Sequence, residues 1–205
     1  MALSQSREVA DPAPRDAISG AIVRFVSSVP QSDEPARPAP AARARELAHS
    51  AAIKTALAAG GLALPPGPLG WLTILPELTA VWRIQAQLVA DIAALYGASA
   101  TLTREHMLYC LFRHTAAQAF RDLVVRAGER LVVRRVSAGA LQALARSVGL
   151  NLTQRALGRG VTRLVPLVGA AGVGAYAYFD TRQVARTAIG LFERGVQADS
   201  GDSTR

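Results

Sequence analysis

The chain has 205 residues, a formal net charge of +8 and a single cysteine, Cys110. That length fits one domain, and the lone cysteine excludes an internal disulfide and a paired-cysteine metal motif. Half of the residues are hydrophobic but only 5% are aromatic, and the mean hydropathy is +0.20. Small and branched aliphatic side chains let helix backbones approach closely, so this composition favours an all-helical domain over a sheet.

The N-terminal part of the chain is predicted to hold a tail, a short helix and a linker. Residues 1–13 are polar and interrupted by proline, so we expect a disordered tail without an export signal. Residues 14–40 are expected to form a short amphipathic helix, Asp16 to Val29, and a stiff proline-bearing linker. An alanine-rich helix, Ala41 to Ala59, follows and is ended by a Gly-Gly pair.

Next come an apolar segment and the most regular helical pattern of the chain. Leu62 to Trp71 contains three prolines and two glycines but few polar groups. Such a segment either packs beneath helices or touches a membrane. From Thr73 to Tyr96 the apolar positions cover most of one side and extend onto others, and Gly97 provides a C-terminal stop. This pattern predicts a central helix that several neighbours contact.

Three charged residues interrupt that central helix: Glu77, Arg83 and Asp91. The two carboxylates share a face, but the helical rise separates them by about 21 Å along the axis. That distance excludes a carboxylate pair acting on one bond, which needs a separation within about 10 Å. We expect Arg83 or Asp91 to form a structural ion pair with another helix. Contact with a ligand headgroup is the alternative.

A further helix is predicted to begin with Thr103 as its N-cap and Glu105 in its first turn. His106, Cys110 and His114 follow at a spacing of four residues. Two such residues on one helix face can share a metal, but the third drifts around the axis, and zinc sites draw further ligands from elsewhere. The pattern therefore favours a packed helix face over a metal site.

The middle of the chain is strongly basic. Between Thr101 and Val165 there are eleven arginines and three acidic residues. Residues 116–136 are predicted to form an amphipathic helix, and shorter helices are predicted at 137–148 and 152–163, with a break around Gly149. In helical segments, two series of arginines spaced by four residues form ridges: Arg126, Arg130 and Arg134, then Arg155, Arg159 and Arg163.

These arginine ridges have three interpretations. The strongest is a solvated basic face, and the next is contact with anionic lipid headgroups. Nucleic-acid binding is the weakest, because the sequence shows no base-reading motif and no aromatic platform.

Val161 to Phe179 is a small-residue helical segment that contains Gly169, Gly172 and Gly174. A dinucleotide-binding loop follows a strand, whereas a basic helix is predicted before this segment. Its apolar core, Leu164 to Phe179, is shorter than the roughly 20 residues that a bilayer requires. Small residues at this spacing instead predict close packing between helices.

The C-terminal region is predicted to form one more helix. Asp180 and Gln183 have the spacing of a capping box, which would begin a helix ending near Glu193. A cap is therefore preferred to a catalytic role for Asp180. Gly195 would stop this helix, and residues 196–205 are expected to be a disordered tail.

Three segments together carry a resemblance to a known family. They are LPELTAVWRIQAQLVADIAALYG after the apolar Pro/Gly segment, then TREHMLYCLF, then LVPLVGAAGVGAYAYFDTRQVARTAI. Over about Gly61 to Phe192 the chain resembles the EcsC family of bacterial proteins. The resemblance implies one all-helical domain near or at the cytoplasmic membrane, in a family named for its neighbourhood to a transporter operon and without an assigned catalytic activity. It assigns no site residues.

The predicted fold is all-α. We expect a single compact bundle of six to eight helices around two apolar helices, 73–96 and 161–179, lying against each other, with the domain spanning residues 41–195. Glu77, Arg83, Asp91 and Asp180 are the candidate structural or ligand-contact residues.

Two functions remain open from the sequence. The first is a non-enzymatic, membrane-associated protein, peripheral at the inner face of the cell membrane, that contacts anionic lipid or a membrane protein. The alternative is a soluble interaction module linked to a transporter or secretion system, with no lipid ligand. No nucleophile lies beside a base in the sequence, so no catalysis, cofactor or metal is predicted. Nucleic acid is not an expected partner, and the oligomeric state is left open.

Overall fold

A computed structural model describes residues 14–26, 28–62, 74–115, 124–127, 130–133, 138–158 and 166–202. In these ranges the chain forms six α-helices, one turn of 3₁₀-helix at Ser99–Thr101 and a two-stranded hairpin. The helices are α1 Pro14–Val26, α2 Pro40–Leu62, α3 Ile74–Leu95, α4 Arg104–Phe112, α5 Ala138–Gly158 and α6 Pro166–Asp202; the strands are β1 Val124–Ala127 and β2 Arg130–Val133. The predicted all-helical bundle is confirmed, with this hairpin as its one non-helical element among the described residues.

The helices α3 and α6 lie at the centre of the bundle, as predicted. Both contact α2 and α4, and they contact each other. The longest interface joins α6 to α2, where small side chains such as Ala48, Ala52 and Ala59 are buried. Helix α5 packs on α1 and buries Leu141 and Val148.

Trp82 joins three helices in the core. Its ring lies 5.3 Å from the Phe112 ring of α4 in an edge-on arrangement and 5.9 Å from the Phe25 ring of α1. Leu88, Val89 and the other buried residues of α3 continue this contact along the helix. Because aromatic pairs of this geometry add to the free energy of apolar burial, Trp82 anchors α1 to the bundle.

Helix α3 ends as the sequence predicts. Gly97 has a φ of +71°, a conformation that glycine adopts without a steric penalty. The Ala98 amide donates to the Ala93 carbonyl at 2.7 Å and the Gly97 amide to the Ala94 carbonyl at 2.9 Å. These two bonds form a Schellman motif, which satisfies the last carbonyl groups of the helix.

Helix α4 begins with a capping box, and its second partner is a histidine. Thr103 Oγ1 accepts from the His106 amide at 3.3 Å, so the predicted N-cap is confirmed. In return the Thr103 amide donates to His106 Nδ1 at 3.2 Å. That bond requires a lone pair on Nδ1, so the cap needs a neutral imidazole. Burial also lowers the pKa of His106 below its ordinary value.

We expect the protein to lose stability as the pH falls from 7 towards 5. The unfolded chain protonates His106 near pH 6.5, whereas the folded chain, with its lowered pKa, resists protonation until a lower pH. The unfolded state therefore binds more protons in this window, and the free energy of unfolding decreases by at most about 1.4 kcal/mol per pH unit from this residue. Urea unfolding at several pH values measures this decrease in the free energy of unfolding.

His106→Gln is the control for this pH dependence, because a glutamine oxygen can accept the same bond without titrating. The variant should show a flatter pH profile than the wild-type chain. Identical profiles would contradict the assignment to His106.

The hairpin corrects one sequence prediction. Residues 124–133 were expected to be helical, with Arg126 and Arg130 on one ridge. Instead Arg126 pairs with Leu131 and Arg130 pairs with Ala127 in the antiparallel register. Arg126 and Arg130 thus lie on different strands, and the helical spacing that would place them on one ridge does not apply.

Two predicted helix breaks are also absent. Helix α5 runs through Gly149 without interruption, and α6 runs through Asp180 to Asp202, beyond the predicted stop at Gly195. The prediction that Asp180 caps a new helix is therefore wrong. Arg134, the last residue of the first predicted ridge, lies outside the described residues. Of the second ridge, Arg155 lies in α5, and Arg159 and Arg163 lie outside the described residues.

Candidate functional site

Five polar side chains from four parts of the fold meet between the central helices. We call Thr55, Gln85, His114, Asp180 and Thr181 the inner polar cluster. Thr55 and Thr181 are fully buried and Gln85 is 1% exposed. Polar groups at this depth are stable only when hydrogen bonds replace the lost water, so the bonding in the cluster decides what it does.

The two threonines and the glutamine connect α2, α3 and α6. Thr55 Oγ1 and Thr181 Oγ1 lie 2.8 Å apart. Gln85 Nε2 donates to Thr181 Oγ1 at 3.1 Å and to Asp180 Oδ2 at 2.8 Å. Thr55 Oγ1 also lies within hydrogen-bond distance of the Ala51 and Ala52 carbonyls of its own helix. Both hydroxyl groups are therefore committed to bonds inside the fold.

The Asp180 carboxylate also binds a histidine that follows α4. Its Oδ1 lies 2.6 Å from His114 Nε2, and the two side chains are only 16% and 14% exposed. A carboxylate can only accept, so Nε2 carries the proton. His114 Nδ1 is buried and has no hydrogen-bond partner among the described residues. Asp180 thus receives hydrogen bonds from both Gln85 and His114.

An aspartate-histidine pair is a common part of hydrolytic sites, but a reacting partner is missing among the described residues. Cys110, one turn before His114, is fully buried, and burial raises the pKa of its thiol, which disfavours the reactive thiolate. Cys110 is fully buried and His106 and His114 are partly buried, which agrees with the packed helix face predicted for these three residues. No group of three or more metal-ligating side chains occurs in the described ranges. The geometry favours a set of hydrogen bonds that hold the helices together over a catalytic centre.

A groove runs along the surface between α2 and α3, with a volume of about 280 Å³. Its apolar floor combines residues of both helices, and its rim carries charged and polar side chains. The lining residues are Leu47, Ser50, Ala51 and Lys54 from α2 and Arg83, Ile84, Gln87, Leu88 and Asp91 from α3. Two of the four polar residues selected from the sequence, Arg83 and Asp91, therefore lie in one groove.

Among the described residues, Asp91 has no ion-pair partner on another helix, where one was expected. Its Oδ1 accepts from Ser32 Oγ at 2.7 Å and from Gln87 Nε2 at 2.8 Å. Gln87 Nε2 also donates to the Gln31 carbonyl at 2.9 Å, and Ser32 and Gln31 both precede α2. Neutral donors suffice here because Asp91 is only partly buried. Glu77 lies in α3, and its side chain is outside the described part of the structure.

Three large apolar side chains of α2 and α6 are exposed. Leu57 and Phe179 are each 71% exposed and Ile53 is 42% exposed. The Tyr178 ring contacts the Phe179 ring at 5.6 Å and the His49 ring of α2 at 6.4 Å, which connects the two helices at the surface. We call Ile53, Leu57 and Phe179 the α2/α6 apolar face.

A model of the EcsC protein family matches residues 28–194. The chain belongs to the EcsC protein family. The match includes the whole inner polar cluster, the groove and the α2/α6 apolar face. No curated protein and no solved structure matches the chain.

The close-packing glycines predicted in this EcsC-family chain differ from one another. A Cβ atom on Gly174 would lie 2.9 Å from the Ala56 carbonyl oxygen of α2, so this glycine is required for the α2/α6 contact. Among the described residues, a Cβ atom on Gly172 would meet nothing within 4 Å, so this glycine does not make the close helix contact that was predicted for it. Gly169 lies in α6, with its surroundings outside the described side chains.

Sequence reasoning found Asp180 in this EcsC-family chain but missed its partners. Thr55, Gln85 and His114 lie in separate segments, so no local spacing connects them to Asp180. One signal was available: Gln85 is a polar residue between apolar helical positions of α3, and such a residue needs an internal partner. None of the helices in the described ranges has both the length and the apolar character that a membrane span requires.

Proposed function

We propose that this EcsC-family protein is a non-enzymatic, peripheral membrane protein that binds lipid surfaces at the inner face of the cell membrane. The observation that carries the proposal is the exposure of Leu57 and Phe179, each 71% accessible, on two helices that pack together. Large apolar side chains that stay exposed in a folded protein are candidates for contact with proteins or membranes.

Charge and sequence support a membrane as the partner. The net charge of +8 attracts the chain to anionic lipid surfaces. The apolar sequence from Leu62 to Trp71 begins at the last residue of α2, five residues after Leu57, and tryptophan is enriched at membrane interfaces. The predicted ridge of Arg126, Arg130 and Arg134 does not support this proposal, because Arg126 and Arg130 lie on different strands of the hairpin. The net charge of +8 does not depend on that ridge and still supports the proposal.

Vesicle flotation tests the role of the α2/α6 apolar face. We expect the purified chain to float with vesicles of phosphatidylcholine and phosphatidylglycerol, and the Leu57→Ser/Phe179→Ser double variant to bind at least about tenfold more weakly. Burying one such side chain contributes about 1.5–3 kcal/mol, and partial burial of two exceeds the 1.4 kcal/mol that corresponds to a tenfold change.

Leu150→Ser is the matched control, because Leu150 is also exposed, at 46%, but lies on α5. It should bind like the wild-type chain. Unchanged flotation of the double variant, or equal weakening by the control, would contradict the proposal. If the wild-type chain floats with no vesicle in low salt, the soluble interaction module is the better function, and the same apolar face would dock on a protein.

A further inference from the structure

We infer that the groove between α2 and α3 binds the phosphate group of an anionic phospholipid, with Lys54 and Arg83 as the phosphate-binding residues. This inference rests on the proposed membrane function and adds a ligand site to it. Both side chains are exposed, and they reach the groove from different helices.

The helices α2 and α3 are antiparallel, and this orientation decides which of their lining residues lie at the same end of the groove. The Arg37 amide, just before α2, donates to the Leu95 carbonyl at the end of α3 at 3.0 Å. The start of α2 therefore lies beside the end of α3, so Lys54 and Arg83 belong to one end of the groove. Asp91 lies about 12 Å from Arg83 along the helix axis, towards the other end.

The basic end has no internal counter-charge. In the described part of the chain neither Lys54 nor Arg83 has an ion-pair partner. Asp91 is the one carboxylate in the lining, and it accepts hydrogen bonds from Ser32 and Gln87 at the far end. Two like charges that share a groove repel each other, and a bound anion would remove this repulsion.

The chemistry of the lining favours a phospholipid phosphate over a free ion. A guanidinium group can bind two phosphate oxygens at once, and an ammonium group adds a point charge. The floor beneath these charges is apolar, with Ala51, Ile84 and Leu88. Such a floor matches the glycerol and upper acyl carbons of a lipid, whereas a free phosphate ion gains nothing from it.

The size and position of the groove point to a headgroup site. A volume of about 280 Å³ is at the small end for ligand pockets, so it suits a headgroup and not a whole phospholipid. Leu57 follows Lys54 by one helical turn and is largely exposed. If Leu57 contacts the acyl region, Lys54 lies about 4.5 Å away along the helix axis, at the level of the headgroups.

The experiment compares binding to two vesicle compositions, phosphatidylcholine alone and phosphatidylcholine with phosphatidylglycerol. We expect the wild-type chain to prefer the anionic vesicles, and the Lys54→Gln/Arg83→Gln variant to lose roughly tenfold or more in affinity for them while keeping its affinity for phosphatidylcholine. Arg45→Gln/Arg104→Gln removes the same charge from exposed positions outside the groove and should lose clearly less.

The outcomes separate this inference from the proposed function. If the wild-type chain binds no vesicle, both fail. If it binds and prefers anionic vesicles but the groove variant loses no more than the control, only the groove site fails. Inorganic phosphate at millimolar concentration should not abolish the preference at constant ionic strength; if it does, the groove is a free-phosphate site and the inference is overturned. Circular dichroism confirms that each variant is folded.

Discussion

The Asp180→Ala variant is expected to lose about 2–4 kcal/mol of unfolding free energy, a large part of the stability of an ordinary domain. The carboxylate accepts from Gln85 Nε2 at 2.8 Å and lies 2.6 Å from His114 Nε2. Alanine would leave the His114 Nε2 proton and one of the two Gln85 Nε2 protons without an acceptor in a region that water hardly reaches, while the other Gln85 proton keeps its bond to Thr181. Each buried unsatisfied donor costs about 1–3 kcal/mol. Urea or thermal unfolding measures the loss.

Asp91→Ala is the matched control for Asp180, because it removes the same group from the partly exposed groove. Its neighbours Ser32 and Gln87 can turn to water, so the loss should stay within about 1 kcal/mol. Asp180→Asn keeps one acceptor oxygen and should fall between the two. If Asp180→Ala were no more harmful than Asp91→Ala, the inner polar cluster would not stabilise the bundle.

Gly174→Ala is expected to destabilise the protein by about 1–3 kcal/mol, although alanine is the better helix former. The new Cβ would lie 2.9 Å from the Ala56 carbonyl oxygen and 3.8 Å from Gly60 Cα, both in the backbone of α2. Backbone atoms of a helix cannot rotate away as a side chain can. The two helices must separate, and the surrounding alanine contacts weaken with them.

Gly172→Ala is the matched control, because Gly172 lies two residues from Gly174 on the same helix. Its effect on the free energy of unfolding is expected to have the opposite sign. Nothing lies within 4 Å of its Cβ position, so only the helix propensity changes and the variant should gain up to about 1 kcal/mol. Equal shifts of the two thermal midpoints in the same direction would show that α2 and α6 are not in the close contact described above.

Features that depend on neighbouring residues could be predicted from the sequence. The Thr103 cap and the Gly97 stop rest on a few adjacent groups, and the broad apolar pattern of α3 places that helix at the centre. In each case the energy that decides the structure comes from within one or two helical turns.

Features that depend on distant residues were missed. Asp180 has the local spacing of a helix cap, but its carboxylate is satisfied by Gln85 and His114, which lie 95 and 66 residues away. Helix α6 can therefore continue through it. The strands β1 and β2 contain the valine pairs 124–125 and 132–133, a β-branched pattern that competes with helical spacing.

The inner polar cluster also has a consequence for the sliding of α6. Small residues line the α2/α6 contact, and a surface without large knobs offers little resistance to a shift of one turn, about 5.4 Å. Such a shift would part Thr181 from Thr55 and Asp180 from Gln85 at the same time. The hydrogen bonds therefore select one axial alignment of α2 and α6 over alignments shifted by a turn. The separation of Leu57 and Phe179 along the helix axes is fixed as a result.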